Sequence, residues 1–264
     1  MIQKIDFHID ALDAMKNYPK ALFYLGKKEL LERRKIAIVG SRKPNQYARE
    51  MTHRVADRLV KQGLCIVSGG AIGVDAIAHK AAGANNTIMV AATGLDKVYP
   101  AINKNIIEAI SEDGLVLSQF AEGTPSTRYN FVLRNELVVA LGEILIVTYA
   151  DENSGTMRSV EYALKMGKKI YVLAHRIGES QGTNRLLLEK KAEAIYDIDI
   201  FVESYCGLQK STDAQKNKKD SDFLKLCRTN PTYEEVAAKF AASLFEAELL
   251  GEIEIKNGRV RVLT

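Results

Sequence analysis

The sequence predicts an α/β fold: a Rossmann-like, doubly wound parallel sheet with a small C-terminal winged-helix-like domain. Three observations support this prediction. Short runs that are apolar throughout alternate with stretches of helical periodicity. Uninterrupted apolar strands are typical of parallel sheets that helices cover on both faces. After residue 208 a polar segment interrupts this alternation, and a short region with a different pattern follows.

Length and composition fit one large domain and one small domain. The 264 residues are 47% hydrophobic, which is enough to build a full core. The formal charge of +4 permits an anionic partner without requiring one. Three scattered cysteines show neither a disulfide framework nor metal-ligand spacing, which favours a reducing, cytoplasmic setting. No signal peptide, anchor or membrane span is expected.

The alternation can be followed in order along the chain. Residues 1–34 form a short amphipathic lead-in that we expect to pack on the large domain of residues 35–208. Strand-like runs and helical stretches then alternate six times. They are KIAIVG with helix 47–62, LCIVS with 71–82, TIMVAA with 102–112, LVLSQF with 131–141, EILIVTYA with 155–166 and KIYVLA with 184–190.

The junction between the second strand and its helix has the chemistry of an anion site. Ser68-Gly69-Gly70 follows a buried strand, and Ala71 opens the predicted helix. Without Cβ atoms at the two glycines, a negatively charged group can approach the backbone closely. Free N–H groups and the positive end of the helix dipole both favour such a group. The turn therefore predicts phosphate binding.

Other loops reinforce this prediction because all strand-to-helix loops of a parallel sheet emerge at one edge. The loops GSRKPNQ, TGLDKVYP, AEGTPSTRYN, ADENSGT and AHRIGESQGTN are rich in glycine and hydroxyl side chains. They and the helices that follow carry basic residues, namely Arg42, Lys43, Lys97, Arg128, Arg134, Arg158, Arg176 and Arg185. Any one glycine-rich turn is common as a purely structural feature, but their convergence favours binding of several phosphates in a row.

Two aromatic residues in these loops have open interpretations. Phe131 follows Arg128-Tyr129-Asn130 in a long loop, where an aromatic beside a cation can stack an unpaired base. Packing into the core explains Phe131 equally well. For Tyr99, which precedes Pro100, simple packing is the favoured interpretation.

Common nucleotide cofactors fit the sequence poorly. SGGAIGVD lacks the Lys-Ser/Thr pair of a P-loop, and GSRKPNQ lacks the glycines of a dinucleotide fingerprint. The four histidines have no ligand spacing, and His79 is expected to have a structural role. No Ser/His/Asp set is apparent either. We therefore expect no cofactor and no metal.

Several ordered blocks together resemble the DprA/Smf family, DNA processing protein A. They are VGSRKP, SGGAIGVDAIAH, YPAIN, GLVLSQF, FVLRNELVVAL, NSGTMRSVEYA and GTNRLL, between about residues 20 and 203. The resemblance implies a protein that binds single-stranded DNA, protects incoming strands in natural transformation and helps to load the RecA recombinase. It also implies a homodimer that is not an enzyme.

The family's DNA pocket, carried over by position, implies a role for each of several residues. Arg42 and Arg128 would neutralise phosphates, and the N–H groups of Gly69 and Gly70 would grip one. Phe131 would stack a base, and Asn135 would add hydrogen bonds. With the basic and glycine-rich loops, the predicted DNA-binding set is Ser41, Arg42, Lys43, Ser68, Gly69, Gly70, Ala71, Arg128, Phe131, Arg134, Asn135, Ser154 and Gly155. The family pattern Arg-Asn-Arg is Arg134-Asn135-Glu136 here, which lowers the positive potential expected of that helix.

The C-terminal region predicts a flexible linker over 209–222 and a winged-helix-like domain over 223–264. The linker is polar and lacks apolar periodicity. Helical segments near 222–228, 233–239 and 242–250 precede two alternating strands around Asn257-Gly258, which is a hairpin signal.

Charge argues against duplex DNA binding by this small domain. Residues 223–264 contain six basic and six acidic residues, so their net charge is zero. The candidate recognition helix AASLFEAELL has Glu246 and Glu248 and no cation. A role in protein contacts or dimer support is therefore favoured.

Two other classes of function remain open. NSGTMRSVE distantly resembles a motif of LOG-type nucleoside-monophosphate phosphoribohydrolases, with Glu161 as the possible acid, although Ser154 replaces the motif's first glycine. The chain could instead be a nucleotide-sensing module that binds one small phosphate ligand. Such a module would bind a mononucleotide as well as a polymer.

Overall fold

The computed structural model describes residues 1–216, 226–249, 253–256 and 258–262. The chain divides into two compact units, Met1–Ser204 and Tyr205–Thr264. Among the described residues, no helix is both long and apolar enough to cross a membrane.

The first unit is built on a nine-stranded sheet. Its strands, in chain order, are β1 (Gln3–Lys4), β2 (Phe23–Gly26), β3 (Lys35–Val39), β4 (Cys65–Ser68), β5 (Thr87–Val90), β6 (Leu115–Ser118), β7 (Leu145–Val147), β8 (Ile170–Leu173) and β9 (Glu193–Ile195). In space their order is β1-β2-β6-β5-β4-β3-β7-β8-β9. Strands β3 to β9 are parallel, and every residue of β3 to β7 is buried, as their apolar runs predict.

The sheet is mixed, whereas the sequence predicted a parallel one. Strand β2 pairs antiparallel with β6, and β1 pairs antiparallel with β2. Both strands come from the lead-in, which also buries Leu12 and Leu30 in or beside the main core. The two strands are two and four residues long, too short for their hydrophobic periodicity to stand out.

The helices connect the parallel strands in the predicted alternation. They are α1 (Gln46–Lys61), α2 (Val74–Ala82), α3 (Lys104–Asp113), α4 (Arg128–Leu141), α5 (Gly155–Lys165) and α6 (Gln181–Leu188). Helix α1 packs on α2, and α4 packs on α5. Because right-handed crossovers that advance in opposite directions place their helices on opposite faces, these two pairs cover the two sides of the sheet.

The strand order reverses between β3 and β7. From β3 the chain winds in one direction through β4, β5 and β6, and then returns to start β7, β8 and β9 on the other side. In doubly wound sheets the loops at the carboxyl ends of the strands bind ligands, and a crevice opens where the order reverses. The fold therefore directs attention to the loops after β3, β4, β5 and β8.

Helix α7 (Ile198–Lys216) extends into the segment predicted to be a linker. The sequence predicted this linker from residue 209 and the end of the large domain at residue 208, whereas the compact units divide after Ser204. The segment lacks proline, and its Gln, Lys and Ala residues favour helix, so polarity alone does not prevent a helix there. Residues 217–222 of the predicted linker lie outside the described residues.

The second unit contains helical segments followed by a hairpin. Helix α8 (Tyr233–Leu249) breaks at Phe240, where φ is −141° and ψ is 41°, so it consists of two helical parts. Strands β10 (Ile253–Lys256) and β11 (Arg259–Val262) pair antiparallel. Gly258 has a φ of 72°, as the predicted turn requires, and Asn257 lies outside the described residues. So do 222–225 and residue 250, where the first and third helical segments were predicted.

Candidate functional site

A small cavity lies at the carboxyl ends of β3, β4 and β5. Its volume is about 90 Å³, and residues from three loops and from helix α4 surround it. The lining residues are Arg42, Gly69, Ala71, Ile72, Ala92, Tyr99, Pro100, Phe131 and Arg134. The sequence predicted five of these, namely Arg42, Gly69, Ala71, Phe131 and Arg134, as DNA-binding residues. They come from distant parts of the chain, so the fold brings them together.

Phe131 lies between cationic and aromatic neighbours at this cavity. The guanidinium carbons of Arg42 and Arg134 are 5.4 and 5.8 Å from the centre of its ring. The Tyr99 ring is 5.7 Å away and tilted by 49°. Phe131 is partly exposed and lines the cavity, so its ring can meet a flat ligand.

Arg134 is buried, which changes the role expected of it. Its side chain is 4% exposed, and Nη1 donates hydrogen bonds to the carbonyl oxygens of Gly69 and Val90. Burial lowers the pKa of Arg134, and the nearby Asp75 carboxylate opposes that shift. The guanidinium therefore holds the loop after β4 in place and adds its charge beside Phe131, whereas the sequence predicted a direct contact with DNA.

The glycine turn after β4 already holds a carboxylate of the protein. The Ala71 N–H donates to Asp75 Oδ2 at 3.3 Å. Burial raises the pKa of Asp75, while Arg134 and the N–H groups of Ala71 and Gly69 oppose that shift. The turn thus differs from the predicted one, in which its N–H groups are free to grip a phosphate. Gly69 is required for a different reason, because a Cβ atom there would collide with the Arg134 guanidinium.

The side chain of Ser68 has a structural role. Ser68 is fully buried, and its hydroxyl donates to the Ile38 carbonyl oxygen at 2.6 Å, so it ties β4 to β3. Gly70 is buried with a φ of 72°, and its carbonyl accepts a hydrogen bond from Asn103. The Ser68 hydroxyl is therefore used within the sheet, and a role of Ser68 in DNA binding stays a prediction.

The loop after β3 is fixed by its backbone and presents its cations to solvent. The Ser41 N–H donates to the Tyr149 carbonyl, and the Ser41 carbonyl accepts from the Val74 N–H. The Lys43 N–H donates to Ser41 Oγ at 3.1 Å. Arg42 and Lys43 are both exposed, so this loop can offer two charges to a polyanion.

Helix α4 carries the other predicted residues along one face. Arg128, Phe131 and Asn135 are three and four residues apart, which places them on the same side of a helix. Arg128 is exposed at the first position of the helix, and Asn135 is partly exposed. The Thr127 hydroxyl caps the helix by accepting from the Asn130 N–H at 3.1 Å.

Ser154 and Gly155 begin helix α5 and are not among the residues that line the cavity. Ser154 Oγ is buried and has no hydrogen-bond partner among the described residues. The structure therefore places this predicted pair at the same sheet edge, after β7, but away from the cluster around Phe131.

The sequence analysis missed two important residues of the site. Tyr99, expected to be a packing residue, is 42% exposed and lines the cavity. Its position in the loop after β5, at the ligand-binding edge, was the available signal. Asp75 was not singled out, although an acidic residue in the first turn of a helix was visible in the sequence.

Comparisons with known proteins show the family to which the chain is related. The profile of a family described as DNA recombination-mediator protein A matches residues 6–206. The chain is 36% identical to the DNA processing protein DprA of Streptococcus pneumoniae over 196 residues, which are 73% of this chain and 69% of that protein. It is 34% identical to protein Smf of Synechocystis over 208 residues, which cover 76% of this chain and 52% of that protein.

Two solved structures of DNA processing protein A share the fold. One, from Helicobacter pylori, concerns the single-stranded DNA binding mode of that protein. It matches with a TM-score of 0.76 and 38% identity, over 77% of this chain and 95% of the other. The DprA structure from S. pneumoniae matches with a TM-score of 0.70 and 33% identity, over 77% and 74% of the two chains. The family profile over residues 6–206 and these relatives show that the chain belongs to the DprA/Smf family of DNA processing proteins.

Proposed function

We propose that this protein binds single-stranded DNA at the cavity around Phe131 and acts in DNA processing during natural transformation. The observation that carries this proposal is the juxtaposition of Phe131 with the exposed Arg42 at 5.4 Å. An exposed cation beside an accessible aromatic ring suits a nucleotide whose base stacks while its phosphate is neutralised.

The residues divide into two kinds of contact. Arg42, Lys43 and Arg128 are exposed cations that would neutralise successive phosphates along the edge of the sheet. Phe131 would stack an unpaired base, with Asn135 on the same helix face adding a hydrogen bond. A duplex keeps its bases stacked on each other, so this arrangement favours a single strand.

Relatives support the same function. The H. pylori protein, to which this chain is 38% identical, binds single-stranded DNA. By this likeness we extend the proposal to protection of incoming strands, loading of RecA, assembly as a homodimer and a cytoplasmic location. We also propose that the protein acts by binding and not as an enzyme.

The alternative as a LOG-type phosphoribohydrolase receives less support. Its candidate acid, Glu161, is about half exposed and pairs with Arg158 at 3.0 Å on the surface of α5. A general acid must lie within hydrogen-bond reach of a bound substrate, whereas this carboxylate is held on the exposed surface of the helix by Arg158. A small nucleotide-sensing module would use the same cavity for one nucleotide only.

A gel-shift comparison tests the proposed function. Single-stranded and duplex DNA of equal length and sequence are titrated with the full chain, and AMP hydrolysis is assayed in parallel. We expect tight binding of the single strand, weak binding of the duplex and no release of adenine. Base release from AMP without oligonucleotide binding would support the enzyme. Displacement of the labelled single strand by AMP at the same concentration as by unlabelled oligomer would support the sensor.

A further inference from the structure

A second and larger cavity lies on the other side of the loop that carries Arg42. Its volume is about 420 Å³, within the roughly 300–1,000 Å³ of ligand pockets in proteins. The first residues of α1 and the loop after β8 line it, namely Asn45, Gln46, Tyr47, Ala174, His175, Arg176 and Glu179. Since β3 and β8 flank β7, this cavity lies where the strand order reverses.

Aromatic rings form one wall of this second cavity. Tyr47 is 43% exposed, and its ring meets the edge of the His175 ring with 5.4 Å between the centres. The His175 ring is held in turn against Tyr149, 5.2 Å away and nearly perpendicular. An exposed tyrosine ring with a fixed aromatic neighbour can accept a flat ligand by stacking.

His175 is fixed behind this wall by a hydrogen bond to the backbone. Its Nε2 lies 2.8 Å from the carbonyl oxygen of Thr148, which can only accept, so Nε2 donates. Nδ1 is buried and has no hydrogen-bond partner among the described residues, so a ligand in the cavity meets the ring of His175 and not this nitrogen.

Two further polar groups of the cavity are a carboxylate and a cation. Glu179 is partly buried, and its Oε2 accepts from Asn45 Nδ2 at 3.1 Å, which fixes the carboxylate at the cavity. Arg176 is exposed and forms no ion pair within the described part of the chain. The cavity thus combines a stacking wall, acceptors for N–H groups and a cation at its rim.

We propose that this second cavity binds a nucleobase with an exocyclic amino group, which is cytosine, adenine or guanine, in preference to thymine or uracil. In the latter two bases the N3–H donor lies between two carbonyl oxygens, which the Glu179 carboxylate would repel. The amino group would donate to the Glu179 carboxylate, the base would stack on Tyr47, and Arg176 would meet the phosphate. If the bound base is part of a DNA strand, this inference rests on the proposed function.

The two cavities are close enough for one strand to occupy both. Arg42 of the first and Asn45 of the second are three residues apart in one loop, so their Cα atoms are separated by at most about 11 Å. A strand that stacks one base on Phe131 can therefore reach Tyr47 within a few nucleotides. The same base chemistry also fits a free nucleotide, and the test below separates these two sources.

The chain contains no tryptophan, so a single substitution supplies a fluorescent reporter for each cavity. Tyr47→Trp reports on the second cavity and Phe131→Trp on the first, both in the full chain. Each variant is titrated with oligodeoxycytidine, with oligodeoxyuridine of equal length and with dCMP. The two bases differ at position 4, which is an amino group in cytosine and a carbonyl group in uracil, and at N3, which accepts in cytosine and donates in uracil. The Glu179 carboxylate should favour the edge that carries the amino group.

We expect oligodeoxycytidine to quench Tyr47→Trp at concentrations about tenfold lower than oligodeoxyuridine, since a charge-assisted hydrogen bond is gained. Phe131→Trp should respond equally to both oligomers. Adding Glu179→Gln to Tyr47→Trp should remove the preference, whereas Glu203→Gln, a loss of the same charge at an exposed position outside the cavity, should keep it.

Each outcome bears on a different proposal. If both oligomers quench Phe131→Trp while none of the three ligands quenches Tyr47→Trp, the second base site is wrong and the proposed function stands. Equal quenching of Tyr47→Trp by the two oligomers would overturn the role of the amino group. If dCMP quenches Tyr47→Trp and neither variant responds to oligomers, the base site stands with a free nucleotide as its ligand, and the proposed function fails.

Discussion

At the scale of single residues, Arg42 and Phe131 lie 5.4 Å apart but should contribute to DNA binding in different ways. A cation that neutralises a phosphate releases a counterion, so its contribution depends on salt concentration. A stacked base releases no counterion, and its contribution to the free energy of binding depends little on salt. The salt dependence of affinity therefore separates the two roles.

Arg42→Ala should flatten the slope of log affinity against log salt by about 0.7, because one phosphate contact is lost. Phe131→Ala should weaken binding by about 1–3 kcal/mol and leave the slope unchanged. Fluorescence anisotropy with a labelled single strand at several salt concentrations measures both quantities. Phe131→Tyr, which retains the ring, is the control, and identical behaviour of the two alanine variants would contradict this division.

His79 predicts how stability depends on pH. The residue is 2% exposed, and Thr87 Oγ1, which donates to the Ile66 carbonyl, accepts a hydrogen bond from His79 Nδ1. Nε2 is buried with no hydrogen-bond partner among the described residues, so a proton there would lack an acceptor. Burial lowers the pKa of His79 to about 3 from its ordinary value of 6.5.

Acidification should therefore destabilise the protein. Below pH 6.5 the unfolded chain binds a proton that folded His79 does not, so stability is complete above pH 6.5 and falls as the pH approaches 3. Between pH 7 and 5 we expect His79 to account for a loss of about 2 kcal/mol in the free energy of unfolding, measured with urea. His79→Asn should reduce this loss, whereas His53→Gln, at an exposed position, should not. An unchanged loss in His79→Asn would contradict the assignment.

At the scale of elements, α4 is the helix on which the first cavity depends. One of its faces carries Arg128, Phe131 and Asn135, and the buried Arg134 ties the helix to the loop after β4. The helix begins at Arg128 because the Thr127 hydroxyl caps its first turn. The position of Phe131, in the first turn, therefore depends on that cap.

Thr127→Ala should lower the free energy of unfolding by about 1 kcal/mol, since the Asn130 N–H loses its acceptor. It should also weaken binding of single-stranded DNA, because the first turn of α4 would fray. Thr127→Ser keeps the hydroxyl and should retain both properties. Urea unfolding and anisotropy titrations of the two variants provide the measurement, and equal loss in the serine variant would argue against capping.

At the scale of the whole molecule, the net positive charge lies in the residues before 217. Residues 223–264 contain six basic and six acidic residues, and residues 217–222 contain two of each, so residues 1–216 account for the whole net charge of +4. We therefore propose that the winged-helix-like domain contacts proteins or supports the dimer, and that single-stranded DNA binds to the α/β unit.

A chain that ends after Lys216 should bind single-stranded DNA with the salt dependence of the full chain. With about four phosphates neutralised, the slope of log affinity against log salt should be roughly −3 in both. The truncation keeps all of α7 and every residue of the two cavities. A slope flatter by one unit or more in the shorter chain would show that the second unit also contacts phosphates.

The sequence by itself determined the parallel strands, their alternation with helices and the loops that follow the strands, because each depends on local hydrophobic periodicity and turn chemistry. Blocks such as SGGAIGVDAIAH also identified the family and placed Arg42 and Phe131 at one site. The sequence did not predict the antiparallel pairing of β2 with β6, because a four-residue strand is too short to show a clear hydrophobic periodicity.

Only the tertiary structure decided which polar groups of the site face a ligand. Arg134 and the carbonyl of Gly69 are 65 residues apart, and Asp75 accepts from the Ala71 N–H at the turn where the sequence predicted a phosphate on Gly69 and Gly70. The second cavity likewise joins Asn45 to Glu179, 134 residues away. Residue types and turns are local properties of the sequence. A buried charge must be paired inside the protein, and its partner comes from a distant segment that only the packing of the chain brings close.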